Sequence, residues 1–237
     1  MAEVLDETPA RALAVYAHPD DPEVACGGTL AVWSAAGCEV TVVVAAAGDK
    51  GSDDPSAVPA DLAERRADEV RAAAAALGVQ RVELLGHPDG ELAEAAGLRA
   101  TMVQLVRSVR PDVVVCPDPT AVFFGDGYVN HADHRALGWA VLDAVAPAAG
   151  SPLYFPELGP PHQVAALLLS GTLEPDLWVD VSSALDAKIA ALFCHASQLA
   201  EDAGDWLADF VRQRTLDEGR RAGLAHAEAF RRIHLAR

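Results

Sequence analysis

"ALAVYAHPDDPEVACGGTLAVWSAAGCEVTVVVAAAG", residues 12–48, reads as strand, helix, strand. ALAVYAH (12–18) is the first strand and PEVACGGTLAVWSAAG (22–37) the helix, with Asp21 as a candidate N-cap and Pro22 at the first helical position. EVTVVVAAAG is the second strand. Continuous valine runs such as VTVVV, and VVVC further on, indicate strands buried on both faces, which is the pattern of a parallel sheet.

The same alternation continues outward. A polar stretch rich in Gly, Pro, Asp and Ser (GDKGSDDPSAVPADL) reads as a loop, and an Ala-rich helix follows from about residue 61 to 77, ending at Gly78. VQRVELLG is strand three, LRATMVQLVRSVR a helix, and PDVVVCPDP strand four. After residue 150 the pattern loosens: VAALLLSG and LWVDVSS read as late strands, SALDAKIAALFCHASQLA is amphipathic, and the chain is expected to close with a charged helix. The absence of repeats or a linker predicts a single domain over 1–237. Its expected class is α/β: a Rossmann-like, doubly wound, mostly parallel sheet flanked by helices. In the order 3-2-1-4-5, strands one and four are neighbours, and ligands bind outside their carboxyl ends.

Composition narrows the function. With 18 Lys+Arg against 35 Asp+Glu, the net charge of −17 repels nucleic acid and anionic lipid, so no nucleic-acid partner is expected. Cys26, Cys38, Cys116 and Cys194 show no Cys-x-x-Cys spacing and read as small buried hydrophobes in a reducing compartment. The start, MAEVLDETPARA, lacks a signal-peptide pattern, and the longest apolar run, VTVVVAAAG, is too short to span a bilayer. A cytoplasmic protein acting on a small molecule is the expectation, and a homo-oligomer stays open.

Two clusters carry chemistry. His18-Pro19-Asp20-Asp21 sits at the mouth of strand one, and His131-Ala132-Asp133-His134 follows strand four. Either cluster alone reads equally well as a capped, solvated turn. Brought together at neighbouring strand ends, they offer what hydrolytic zinc sites use: three His and Asp/Glu ligands with one position left open for water. One imidazole and one carboxylate from the first cluster and one imidazole from the second would suffice, leaving residues for proton transfer.

These segments resemble the LmbE-like/PIG-L family of zinc-dependent N-acetylglucosaminyl deacetylases. The similarity rests on HPDDPE after the first strand and on HADH, preceded by Asn130, after the fourth. It continues through Arg66-x-x-Glu69, HPDGEL (87–92), RPDVVVCPDP (110–119), KIAALFCHASQ (188–198) and AEAFRRI (227–233). The resemblance implies that His18, Asp21 and His134 hold Zn2+, with Fe2+ an alternative native metal, and that Asp20 is the general base. It implies that a protonated His131 polarises the substrate carbonyl and that Asp133 orients His131. The implied reaction is removal of an N-acetyl group from an amino sugar or GlcNAc-type conjugate by attack of metal-bound water. Pro22 separates HPDD from Glu23, so Glu23 is assigned to the helix N-terminus. Where some relatives carry tyrosine two residues before His131, this chain has Val129, with Tyr128 one step earlier.

Substrate contacts are expected from Arg66, Asn130, Asp89 and His195. Each has an ordinary alternative: Arg66 as a solvated helix residue paired with Glu69, Asp89 as a turn residue, and His195, with Gln198 one turn on, as a structural histidine. His87, His162, His226 and His234 have no partner pattern. CGG (26–28) does not complete G-x-G-x-x-G, so a dinucleotide site is not expected. The loops at 47–60, 118–130 and 151–162 are expected to shape the substrate site, and Gly125-Asp126-Gly127 predicts a mobile second loop. Two other functions share these residues: an Fe(II) oxygenase with a two-His, one-carboxylate triad, and a non-catalytic sugar- or metal-binding module. The α/β alternation argues against the first, and Asp20, a spare acid beside the ligands, argues against the second.

Overall fold

The computed structural model describes residues 2–199 and 204–235. In chain order the strands are β1 (Glu3–Val4), β2 (Arg11–Tyr16), β3 (Glu39–Ala46), β4 (Arg81–His87), β5 (Val113–Pro117), β6 (Phe123–Phe124), β7 (Tyr128–Val129), β8 (Ala166–Ser170), β9 (Leu177–Asp180) and β10 (Ala227–His234). The helices are α1 (Asp21–Ala35), α2 (Pro59–Ala76), α3 (Leu98–Val109), α4 (Ala132–Asp143), α5 (Leu185–Phe193) and α6 (Gly204–Ala222). Eight strands make one sheet in the order β1-β9-β10-β8-β5-β2-β3-β4. From β4 to β8 every pairing is parallel, and strands one to five of the sequence reading take the order 3-2-1-4-5.

Period-two alternation explains why helices cover both faces. Ala12, Ala14 and Tyr16 of β2 pack with Leu30 and Trp33 of α1 and with Val70 and Ala73 of α2. Leu13 and Val15 point the other way, onto Met102 and Val106 of α3 and Leu137 and Val141 of α4. Past their exposed first residues, neither face of β2 and β3 meets water, which is why their sequences are apolar there apart from Thr41.

The last element among the described residues is a strand, not the charged helix expected to close the chain. The charged helix is α6, and the segment after it, AEAFRRIH, forms β10, antiparallel to both β8 and β9. Ala, Glu and Arg favour helix locally, but docking between two strands overrides that preference. Glu228 of β10 is buried and reaches α1, where it accepts from the Gly28 and Thr29 amides at 2.9 and 2.7 Å and from Thr29 Oγ1 at 2.6 Å. Lys188 of α5 supplies the counter-charge. A Cβ on Gly28 would lie 2.7 Å from Val181 Cβ, so this glycine of CGG permits a helix–sheet approach. None of the helices among the described residues is long and apolar enough to cross a membrane.

Candidate metal centre and active site

The first cluster is built on a strained turn. Asp20 has φ of 92°, left-handed for a non-glycine residue, at the junction between β2 and α1. Such a conformation costs on the order of 1–3 kcal/mol and persists only where neighbours enforce it. Arg66 of α2 does so, donating to the carbonyl of Pro19 at 2.7 Å, to Asp20 Oδ2 at 3.1 Å and to the carbonyl of Gly48 at 3.2 Å. The helix therefore starts one residue earlier than expected: Asp20, not Asp21, occupies the N-cap position, and its side chain makes no capping bond. Asp21 Oδ2 instead accepts from the His18 amide at 2.7 Å, which turns its carboxylate back over the strand end.

The second cluster follows β5. Gly125-Asp126-Gly127 closes the β6–β7 hairpin, and the chain then enters α4 with His131 at its N-cap. Asn130 is buried; its Nδ2 donates to the carbonyl of Ala121 at 2.8 Å, so its Oδ1 faces His134 Nδ1 at 3.0 Å. That partner assigns the His134 proton to Nδ1 and leaves Nε2 as a lone pair.

The two clusters meet at the neighbouring ends of β2 and β5. His18 Nδ1 lies 3.2 Å from His134 Nε2 and 3.4 Å from Asp21 Oδ2, and His134 Nε2 lies 3.1 Å from Asp21 Oδ2. Tetrahedral ligands at about 2.0–2.1 Å from a zinc-sized ion sit roughly 3.3 Å apart, so this triangle has the dimensions of one face of a coordination shell. The far side of each ring is also held: His18 Nε2 faces Asp89 Oδ1 at 3.1 Å and Asp133 Oδ2 at 3.2 Å. A carboxylate accepting the outer N–H of a ligand imidazole fixes its tautomer and strengthens it as a donor. His18, His131 and Asp133 also lie close enough to share an ion. That set is the poorer one, because Asp133 is fully buried and its oxygens already accept from the amides of Gly90 at 2.7 Å and Leu92 at 3.1 Å.

The electrostatics call for a positive charge at this point. Burial alone would push the His18 imidazolium down, but hydrogen bonds and charge from Asp21 and Asp89 override it and raise the ring to about 10. Burial works against ionised Asp21 too, yet His134 and His18 hold its carboxyl well below the ordinary range. Asp20 differs from its neighbour: burial first, then the charge of Asp21, raise it to about 6, against the pull of Arg66 and His195. Adjacent carboxylates are thus separated into a permanent anion and a group able to exchange a proton near neutrality.

His131 is lowered, first by burial and then by charge on His18, against the opposing effect of Asp133. Its Nδ1 accepts from the Asp133 amide at 3.2 Å, an arrangement that suits a ring carrying its proton on Nε2 and works against the imidazolium expected. The Asp133 carboxylate is directed at His18 and the 90–92 amides rather than at the His131 ring.

Other expectations are redistributed. Arg66 is buried and binds the HPDD turn, neither solvated nor paired with Glu69; Glu69 accepts from the Ser197 amide and hydroxyl, each at 2.7 Å. His195 is buried against Glu23, with Nε2 3.1 Å from Glu23 Oε2, so Glu23 is an interior partner rather than an exposed helix-end acid. Gln198 donates to the carbonyl of Gly51 at 3.1 Å. Asp89 and Asn130 stand at the centre as partners of the two imidazoles. His162 bonds the Pro111 carbonyl and His226 the Thr215 hydroxyl, both away from the cluster.

A cavity of about 440 Å³ opens beside the triangle, with Asp21, Asn130 and His134 in its lining. Its walls come from Phe124 and Tyr128 of the hairpin, and from Phe210 and Arg214 of α6. The 118–130 loop contributes as expected, whereas 47–60 and 151–162 do not line this cavity. Phe210 and Arg214 carried no local signal, because their place here depends on how α6 packs against β9 and β10.

Comparison with known proteins places these features in context. The family profile for PIG-L, described as GlcNAc-PI de-N-acetylase, matches residues 13–145. The diacetylchitobiose deacetylase of Thermococcus kodakarensis is 30% identical over 226 residues, covering 93% of this chain and 82% of that protein. A 1D-myo-inositol 2-acetamido-2-deoxy-alpha-D-glucopyranoside deacetylase of Saccharopolyspora erythraea is 31% identical, covering 84% and 87%. Among solved structures, the inhibitor complex of the N,N'-diacetylchitobiose deacetylase from Pyrococcus horikoshii superposes with a TM-score of 0.86 at 28% identity. It covers 95% of this chain and 84% of that one.

Proposed function

Because the chain belongs to the PIG-L (LmbE-like) family, we propose that it is a metal-dependent deacetylase that hydrolyses the N-acetyl group of an amino sugar or sugar conjugate. The observation carrying this reading is the His18–Asp21–His134 triangle, with edges of 3.1–3.4 Å, bordering a cavity with Asp20 as its neighbour in sequence. Residues 13–145 of the family match hold both clusters, and β8 to β10 complete the same sheet, so 1–237 is treated as one deacetylase domain. The four free cysteines suit a reducing, cytoplasmic setting.

His18, Asp21 and His134 would hold the ion. We take it to be Zn2+, with Fe2+ the alternative, since two imidazoles and a carboxylate do not strictly select between them. When bound, the ion supplies Lewis acidity, lowering the pKa of a water to about 7 and polarising the amide carbonyl. Asp20 accepts the proton of the attacking water and delivers it to the departing amine nitrogen, a transfer suited to a carboxyl raised toward neutrality. Neutral His131 donates from Nε2 to the acetyl oxygen as charge grows there. Asp89 and Asp133 orient His18, and Asn130 orients His134.

The test is deacetylation of N-acetylglucosamine, diacetylchitobiose and GlcNAc-inositol by metal-loaded protein, read as released acetate alongside metal analysis. One ion per chain is expected, with activity lost in Asp20→Asn while the ion is retained and both lost in His134→Ala. A protein that binds no ion, or full turnover by Asp20→Asn, refutes the reading.

A further inference from the structure

The cavity beside the triangle holds one lysine or arginine among its lining residues, Arg214. Its position on α6 makes that residue unusual. Three other arginines of the helix pair with an acid one turn back: Arg212 with Asp209 at 3.4 Å, Arg220 with Asp217 at 2.9 Å and Arg221 with Glu218 at 3.0 Å. Arg214 lies three residues before Asp217 and four before Glu218, within reach of both on a helix surface. Asp217, however, is also held by Gln213 at 2.9 Å, and Glu218 also accepts from Trp178 Nε1 at 2.9 Å. Among the described residues Arg214 therefore makes no ion pair and no hydrogen bond, in a chain with 35 acidic side chains.

The surroundings favour a ligand for it. Phe210, one turn before it, and Phe124 and Tyr128 across the opening provide aromatic faces, which suit the C–H face of a sugar ring. Arg214 is exposed at the mouth of the cavity, and its planar fork matches carboxylate and phosphate oxygens in a bidentate manner. The overall charge of −17 repels an approaching anion, so an anionic substrate needs a local cation to be retained.

We propose that Arg214 is a specificity-determining residue that selects substrates bearing an anionic group, a carboxylate or a phosphate, on the part of the molecule beyond the acylated amine. This inference rests on the deacetylase reading above for the identity of the acyl group alone. The anion is recognised by the guanidinium while the aromatic walls hold the ring, and Asp21 and His134 mark where the amide is presented.

The experiment compares kcat/KM of the metal-loaded protein for N-acetylglucosamine, its 1- and 6-phosphates and N-acetylmuramic acid, in wild type, Arg214→Gln and Arg214→Lys. Calorimetry with the corresponding free amines, glucosamine, its phosphates and muramic acid, reads binding without turnover. At least one anionic compound is expected to exceed its neutral counterpart by about 10- to 100-fold in wild type. That ratio should collapse toward one in Arg214→Gln and be partly kept in Arg214→Lys; the phosphate and muramic acid arms separate the two sources of charge. An anion that binds through the metal instead keeps its advantage in Arg214→Gln, which overturns the proposal, as does the absence of any anionic preference. Arg214-dependent anion binding without hydrolysis leaves this inference standing and removes the deacetylase reading; hydrolysis with no dependence on Arg214 does the reverse.

Discussion

Arg66 Nη2 lies 3.1 Å from Asp20 Oδ2, and the same nitrogen donates to the carbonyl of Pro19 at 2.7 Å. A residue from a different helix thereby holds the left-handed backbone that turns the Asp20 carboxylate to Arg66 and the Asp21 carboxylate to His18 and His134. Replacing Arg66 by Ala leaves buried carbonyls without a donor, with an expected cost of about 2–3 kcal/mol in denaturant unfolding. Asp20 is partly solvated, which keeps the ionic part of that loss small. In the folded fraction kcat should fall while KM changes little. Unchanged stability with a raised KM would instead mark Arg66 as a substrate contact.

Asn130 fixes the His134 tautomer through the 3.0 Å contact at Nδ1. Asn130→Ala is expected to weaken metal affinity by about 10- to 100-fold, measured by competition with a chromogenic chelator. An affinity equal to wild type shows that the ring needs no such support.

Gly28 has no room for a side chain: a Cβ would stand 2.7 Å from Val181 Cβ and 3.1 Å from Glu228 Oε1. Gly28→Ala should destabilise the fold by about 1–3 kcal/mol through overpacking. Thermal unfolding against wild type measures it, and a change within error refutes the close approach.

Lys188 and Glu228 are each about 4% exposed at the side chain and neutralise one another between α5 and β10. Lys188→Met leaves a buried carboxylate uncompensated and is expected to cost about 3–5 kcal/mol. The Lys188→Met/Glu228→Gln double variant should recover part of that loss. Additive losses in the double-mutant cycle would deny the coupling.

The thiols are expected to resist modification. Cys26, Cys38 and Cys116 are buried, and Cys194 is partly accessible. Burial first, with the charge of Asp112, pushes Cys38 up to about 11, and burial followed by Glu23 and Glu69 raises Cys194. Raised thiols hold less thiolate at a given pH, and thiolate is the reacting form. A disulfide reagent at pH 8 should label Cys194 alone, more slowly than a free thiol, and all four after denaturation. Rapid native labelling of more than one thiol contradicts the burial.

The amino-acid sequence by itself pointed to a parallel core and to the meeting of the HPDD and HADH clusters; the choice of His18, Asp21 and His134 within them was implied by the family resemblance, and the tertiary structure shows these three side chains in one triangle. Valine-rich strands such as VTVVV announce burial on both faces, and in a doubly wound sheet the ends of strands one and four are adjacent whatever the loops do. Local pattern was silent, or misleading, wherever a partner lay far along the chain. AEAFRRIH is rich in Ala, Glu and Arg, which favour helix, yet becomes a strand between β8 and β9. Arg66 turns inward to a strained turn 46 residues away, Asp133 reaches His18 across 115, and Glu23 and His195 pair across 172. Arg214 joins the cavity only because α6 packs on β9 and β10. Periodicity records which face of an element is apolar; which distant polar group meets which is decided by packing, since a buried donor or charge stays inside only where the assembled fold supplies its partner.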